Sequence, residues 1–213
     1  MTDLQHMRRV YAQQSLYEAD VPASPMAFFS RWFDEACAAE QPEPNAMVLS
    51  TVNAQGFPRS RAVLLKELRK DGGLVFFTNY ESDKGQELAG DPHVSLVFLW
   101  LTLERQVRIE GIVERLSDAD SDAYFATRPR ESQLGAWASR QSEIVADRET
   151  LERRFRENTL RFEGQEVPRP AYWGGYVVHP TNVEFWQGRP GRMHDRLCFA
   201  QDGDHWNLRR RMP

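Results

Sequence analysis

Glu104-Arg105-Gln106-Val107-Arg108-Ile109-Glu110-Gly111-Ile112-Val113-Glu114 alternates apolar and polar residues more cleanly than any other stretch of the chain. In an extended backbone successive side chains point to opposite faces. Val107, Ile109 and Gly111 therefore face one way, and Gln106, Arg108 and Glu110 the other. A strand needs partners, and both flanks supply them. Upstream lie Ala46 to Val52, Arg59 to Leu68, Leu74 to Thr78 and Val94 to Trp100, the first three joined through Asn-Ala-Gln-Gly and Lys-Asp-Gly-Gly turns. Connections this short require antiparallel neighbours, because a parallel crossover needs about a dozen residues or more. Downstream the sheet resumes with Tyr172 to Val178, Val183 to Gln187, His194 to Ala200 and Trp206 to Arg211.

Helices interrupt this meander. Ser24 and Pro25 form a helix start, with serine as N-cap and proline at the first helical position. Phe28, Phe29, Trp32, Phe33, Ala36 and Cys37 follow at helical spacing and predict a buried aromatic face. Pro42 and Pro44 end that helix. A short helix is expected from Ser82 to Ala89, a second from Ser117 to about Thr127 before Pro129, and a long charged one from Asp147 to Phe162. Strands joined by tight turns and interrupted by helices predict an α+β protein built on an antiparallel barrel. Residues 1–23 are polar and irregular and read as an arm; 24–213 read as one domain.

A net charge of −4 over 213 residues argues against bulk electrostatic binding of nucleic acid. Two cysteines, Cys37 and Cys198, suggest buried thiols in a reducing compartment, with the cytoplasm as the default. The start of the chain lacks the apolar core of a signal peptide, no stretch is long enough to span a bilayer, and no metal-ligand spacing is present.

Donors suited to anions and planar rings recur along the chain. Arg61 and Lys66 stand on an apolar strand, five apart and so on opposite faces. Thr78 and Lys84 flank a helix start, where backbone N–H groups favour phosphate. Gln106, mid-strand, needs partners for both ends of its amide, which a flavin ring or a neighbouring strand would supply. Tyr124 and Arg128 share a helix face near Ser132, a sensible phosphate cup or an ordinary helix end. Gln141-Ser142 adds a polar pair in a loop. In Glu184 to Arg196, Arg192, His194 and Arg196 alternate after a Gly188-Arg189-Pro190-Gly191 turn, which suits an anionic aromatic ligand or a solvated basic hairpin. Dinucleotide, Walker and serine-elbow motifs are absent, so the profile is one of cofactor binding.

Taken in order, Arg61 to Lys66, Phe77-Thr78-Asn79, Glu104-Arg105-Gln106-Val107, Arg128 to Trp137, Gln141-Ser142 and Tyr172-Trp173-Gly174-Gly175 make the chain resemble the pyridoxine/pyridoxamine 5′-phosphate oxidase family, from about Arg8 to the end. The resemblance implies a split barrel that forms a homodimer with two FMN sites between the subunits. It implies FMN contacts at Arg61, Ala62, Val63, Leu64, Leu65, Lys66, Phe77, Thr78, Lys84, Gln106, Gln141, Ser142, Trp186 and Arg196. Substrate contacts fall on Lys66, Tyr124, Arg128, Ser132, Arg192, Met193 and His194, with Arg8, Arg9, Val10 and Tyr11 as an arm over the pocket. Lys66, Tyr124, Arg128 and Ser132 would hold the substrate phosphate, and Arg192 and His194 would lie near the carbon to be oxidised. The implied reaction passes hydride to FMN, which oxygen reoxidises to give hydrogen peroxide. A related split-barrel oxidase of phenazine type and a non-catalytic flavin or pyridoxal-phosphate binder are the alternatives. One departure stands out: the family's Ser-Arg-Lys run is Ser82-Asp83-Lys84 here, which implies weaker FMN retention or an Asp83 turned outward.

Overall fold

The computed structural model describes residues 10–213, so the expectations on Arg8 and Arg9 lie outside the described residues. Among the described residues there are five α-helices and nine strands in one antiparallel sheet. The strands are β1 (Ala46–Val52), β2 (Pro58–Leu64), β3 (Glu67–Leu68), β4 (Leu74–Asn79), β5 (His93–Trp100), β6 (Arg105–Arg115), β7 (Trp173–Gln187), β8 (Asp195–Asp202) and β9 (His205–Arg210). The helices are α1 (Pro25–Ala38), α2 (Asp83–Gly90), α3 (Asp118–Thr127), α4 (Arg130–Ala138) and α5 (Arg148–Arg161). None is long and apolar enough to cross a membrane.

The strand order is β2-β1-β5-β6-β7-β4-β3, with β8 beside β7 and β9 beside β8. The alternating stretch is β6, the middle of the sheet, and its Val107 and Ile109 are fully buried. The expected strand Arg59 to Leu68 is two strands, β2 and β3, at opposite ends of that order. Leu65 N–H donates to the Asn45 carbonyl beside β1, while the next N–H, of Lys66, donates to Val75 in β4. The chain thus steps across at Leu65-Lys66, which curls the sheet into a barrel. A break in the strand also interrupts the alternation, so the five-residue spacing no longer decides the facing of Arg61 and Lys66, and both line one cleft.

The two strands expected over Tyr172–Val178 and Val183–Gln187 are one, β7, whose register against β6 shifts between Glu110 and Gly111. A Cβ on Gly111 would lie 2.4 Å from the His179 carbonyl oxygen, so glycine lets the backbones approach at this bulge. Helix α4 has no counterpart in the sequence reading, because Pro129 signalled an end while in fact serving as the N-cap of the next helix. Strand β8 begins at Asp195; Arg192 lies in a single 3-10 turn with φ of 62°, so the strand alternation expected for Arg192, His194 and Arg196 does not hold.

Helix α1 starts where Ser24 Oγ accepts the Ala27 N–H. It lays Phe28 against Phe185 at 4.3 Å between ring centroids and Phe29 against Phe98 at 4.9 Å. Each such ring stabilises the fold by about 2–3 kcal/mol through burial. Cys37 falls off this face and is exposed, contrary to the expected pair of buried thiols; Cys198 is half-buried, and both are free. A smaller core, Phe125, Leu134, Phe162, Val167 and Trp173, forms under α3, α4 and α5. The main cleft lies where the two cores meet.

Candidate cofactor and substrate site

A cleft of about 950 Å³ opens between β2, β4 and the α3–α4 corner. It is lined by Arg61, Ala62, Val63, Leu64, Lys66, Phe77, Thr78, Lys84, Tyr124, Arg128, Ser132 and Gln141 from the sequence reading. Leu65 is buried in the main core beneath it and does not line it. Four cations face this cleft, and no carboxylate is among its lining residues.

Each cation is placed by its own surroundings. Lys84, 8% exposed in the first turn of α2, donates to Gln141 Oε1 at 2.6 Å and Ser82 Oγ at 3.4 Å, both neutral. Burial, and then the charge of Arg61, lower its pKa from the ordinary lysine value. Thr78 Oγ1 shares Gln141 Oε1 at 3.2 Å, and Ser142 Oγ accepts the Asp83 N–H at 3.2 Å. The Gln141-Ser142 loop, with Ser142 at φ of 73°, is thereby pinned on the positive end of α2. Arg61 is held from below by Thr51 and by Glu87, whose carboxylate is 2.9 Å away and buried.

Arg128, the C-cap of α3, is seated differently. Its guanidinium lies 4.5 Å over Trp173 and 5.4 Å over Phe125, and its Nη1 is buried with no partner. Burial lowers its pKa, against the nearby Tyr124. Trp173, Phe77 and Tyr124 form one nearly parallel stack, with Phe77 and Tyr124 at 3.8 Å. The stack brings Tyr124 and Arg128 together through Trp173 at the cleft wall, with Ser132 supplied by α4. A desolvated guanidinium with an unused donor is costly unless an anion completes it, so this corner suits a phosphate.

Ser142, at the α2 start, stands beside the cleft without lining it, and the other expected residues form a second cluster away from it. Gln106, Trp186 and Arg196 are successive register partners on β6, β7 and β8, and so form one row across the sheet. Trp186 packs 4.6 Å from His194, and Tyr11 packs edge-on against both, at 5.8 and 5.9 Å. Arg196 is tied to Glu184 at 2.7 Å and to the Met212 carbonyl at 2.9 Å. Arg192 and Met193 are exposed at the turn, and Val10 is exposed beside Tyr11. Trp173 and Trp186 lie near opposite ends of β7, which at about 3.3 Å per residue is some 40 Å of strand path. The chain thus carries two groups of ligand-type residues well apart.

Sequence reasoning missed Trp173 as a wall of the cleft and Glu87 and Thr51 as the support of Arg61. Glu87 sits one turn after Lys84, a visible helical neighbour; Thr51 had no local signal.

The family model described as "Pyridoxamine 5'-phosphate oxidase" matches residues 33–161, and that described as "Pyridoxine 5'-phosphate oxidase C-terminal dimerisation region" matches residues 173–213. A protein of Cupriavidus necator named pyridoxine/pyridoxamine 5'-phosphate oxidase is 55% identical over 100% of both chains. One of the same name from a Cyanothece species is 54% identical over 97% of each. The crystal structure of PhzG from Burkholderia lata, in complex with tetrahydrophenazine-1-carboxylic acid, superposes with a TM-score of 0.87 at 29% identity, covering 93% of this chain and 98% of that one.

Proposed function

The chain belongs to the pyridoxamine 5′-phosphate oxidase family, and from that premise we propose that it is an FMN-dependent oxidase turning pyridoxine or pyridoxamine 5′-phosphate into pyridoxal 5′-phosphate. The observation that carries this reading is the cleft with four cations and no lining carboxylate, whose Arg128 keeps a buried donor unused. Its residues, with the adjoining Ser142, fit two phosphates. Arg61, Lys84, Thr78, Gln141 and Ser142 at the α2 start suit that of FMN. Lys66, Tyr124, Arg128 and Ser132 suit that of the substrate. FMN, when bound, supplies the chemistry by accepting hydride from the oxidised carbon and passing electrons to oxygen, which leaves as hydrogen peroxide. The protein's part is orientation: the phosphate corner anchors the substrate, and the aromatic stack sets its plane.

Gln106, Trp186 and Arg196 as flavin contacts, and Arg192, Met193 and His194 as substrate contacts, complete this site from a second protomer in the proposed homodimer. The match of residues 173–213 to a dimerisation region and the 40 Å of strand path support this arrangement. Residues 10–23 act as an arm that brings Val10 and Tyr11 to this second cluster, and 24–213 as one domain. Two free thiols accord with a cytoplasmic enzyme.

The test is direct. The purified protein is expected to be yellow and, given pyridoxine or pyridoxamine phosphate in air, to release pyridoxal phosphate and peroxide. Colourless protein that stays inactive with added FMN would refute the assignment. The likeness to PhzG favours a phenazine-type substrate as second reading; turnover of tetrahydrophenazine-1-carboxylic acid but not of either B6 phosphate would select it.

Asp83 gives a second prediction. It is exposed and paired with Arg59 at 3.1 Å, turned away from the cleft. Asp83→Arg replaces a carboxylate by a cation beside Lys84, and fluorescence titration is expected to show severalfold tighter FMN binding at low salt, shrinking as salt is added. Equal affinity of the two proteins would refute it.

A further inference from the structure

His194 is held in a way that the proposed reaction alone does not require. The backbone N–H of Arg189 donates to its Nδ1 at 3.1 Å. The ring lies between Trp186 and Tyr11, with centroids 4.6 and 5.9 Å away, which fixes its plane, and turning it over within that plane would present a carbon to the N–H. The donor is equally fixed. Gly188 N–H is bonded to the Glu104 carbonyl, Met193 N–H to the Pro190 carbonyl, and Arg189 Nη1 is paired with Asp195 at 3.5 Å. Asp195 in turn accepts the Leu16 N–H at 3.0 Å and Arg210 at 2.7 Å, which ties the turn to the arm and to β9.

We infer that the Arg189 backbone N–H is a positioning group that fixes His194 as the neutral tautomer with its proton on Nε2, so that His194 meets its ligand as a hydrogen-bond donor. An acceptor already engaged at Nδ1 cannot also carry a proton without placing two hydrogens face to face. Among the described residues no hydrogen-bond partner meets Nε2, which leaves that N–H for a ligand. The hydroxyl proton of an alcohol substrate therefore cannot be taken up at Nε2. The charged and titratable groups around the ring agree in sum: burial and Arg192 lower its pKa, Asp195 acts in the opposite sense, Arg189 is committed to Asp195, and Tyr11 packs as a ring.

This inference rests on the proposed substrate site for its consequence, but its first test does not depend on turnover. In FMN-loaded protein with 15N-labelled histidine, the ring nitrogens of His194, assigned by their loss in His194→Gln, are read by long-range proton–nitrogen correlation. Nδ1 is expected to resonate as an unprotonated nitrogen and Nε2 as a protonated one, unchanged as pH falls through the ordinary histidine range. A protonated Nδ1, or an averaged pair that titrates normally, overturns the proposal whether or not the enzyme turns over. The second test is kinetic. Both substitutions are expected to lower kcat/KM, but His194→Gln, whose amide can donate from the place of Nε2, is expected to retain at least about tenfold more of it than His194→Leu, as for a hydrogen bond kept against one lost. Equal losses in the two variants overturn the donor role.

Discussion

Arg128→Ala is expected to lower kcat/KM for pyridoxine 5′-phosphate by about two to three orders of magnitude while leaving FMN bound. Arginine grips a phosphate through two parallel hydrogen bonds, and bonds of this charged kind contribute about 1.5–3 kcal/mol each; losing the pair costs roughly 3–4 kcal/mol, the stated range of rates. The loss should fall mainly on KM, because the phosphate is remote from the reacting carbon and is held equally before and during the reaction. Arg128→Lys keeps the charge but not the fork, and should lie between wild type and alanine. Stability should hardly suffer. A guanidinium whose Nη1 is buried and unpartnered is already poorly solvated in the free protein, so its removal relieves as much as it disrupts. Steady-state kinetics, the flavin absorbance of the purified variant and a thermal melt check the three statements. A loss of kcat/KM below tenfold, or loss of the flavin itself, would show that Arg128 does not hold the substrate phosphate.

Arg128 also shows what the sequence could and could not convey. Its type and its spacing from Tyr124 pointed to an anion, but an arginine at a helix end has an equally ordinary explanation. What separates the two is the stack of Trp173, Phe77 and Tyr124, built from β7, β4 and α3. No local pattern reports such a long-range arrangement. The sheet was more legible, because period-two alternation and tight turns are local signals; β6 was read with both faces correct. The step at Leu65-Lys66 was not, since nothing in Val-Leu-Leu-Lys-Glu-Leu announces a change of partner strand, and the spacing of Arg61 and Lys66 carries no facing across it. At Arg192 the alternation failed for another reason. Gly191 at φ of 63° and Arg192 at 62° coil the chain before β8 begins, so residues two apart no longer share a face.

Arg105→Ala is expected to destabilise the fold by about 3 kcal/mol, the low end of the range for breaking a buried ion pair, because its partner Glu35 can regain water. For a chain of this length that is a fall in Tm of about 6–12 °C. Arg105 is only 3% exposed, yet it joins four parts of the molecule. Its Nε donates to Gln187 on β7 at 3.0 Å, Nη1 to Glu35 on α1, Nη2 to Gln14 in the arm, and its plane lies 4.3 Å over Trp32. Removing it leaves the buried Gln187 carbonyl without this donor and opens a gap against Trp32. Arg105→Met fills the gap but not the hydrogen bonds, so the difference between the two variants separates packing from polar satisfaction. Gln14 follows Tyr11 by three residues and Gln187 follows Trp186 directly, so the loss should reach the His194 cluster. Methionine is therefore expected to recover part of the Tm yet still bind substrate less tightly, through a looser arm. Full recovery of both by Arg105→Met would mean that Arg105 acts through its bulk alone, and that the arm is held to the barrel by the Glu104 and Asp195 contacts without it.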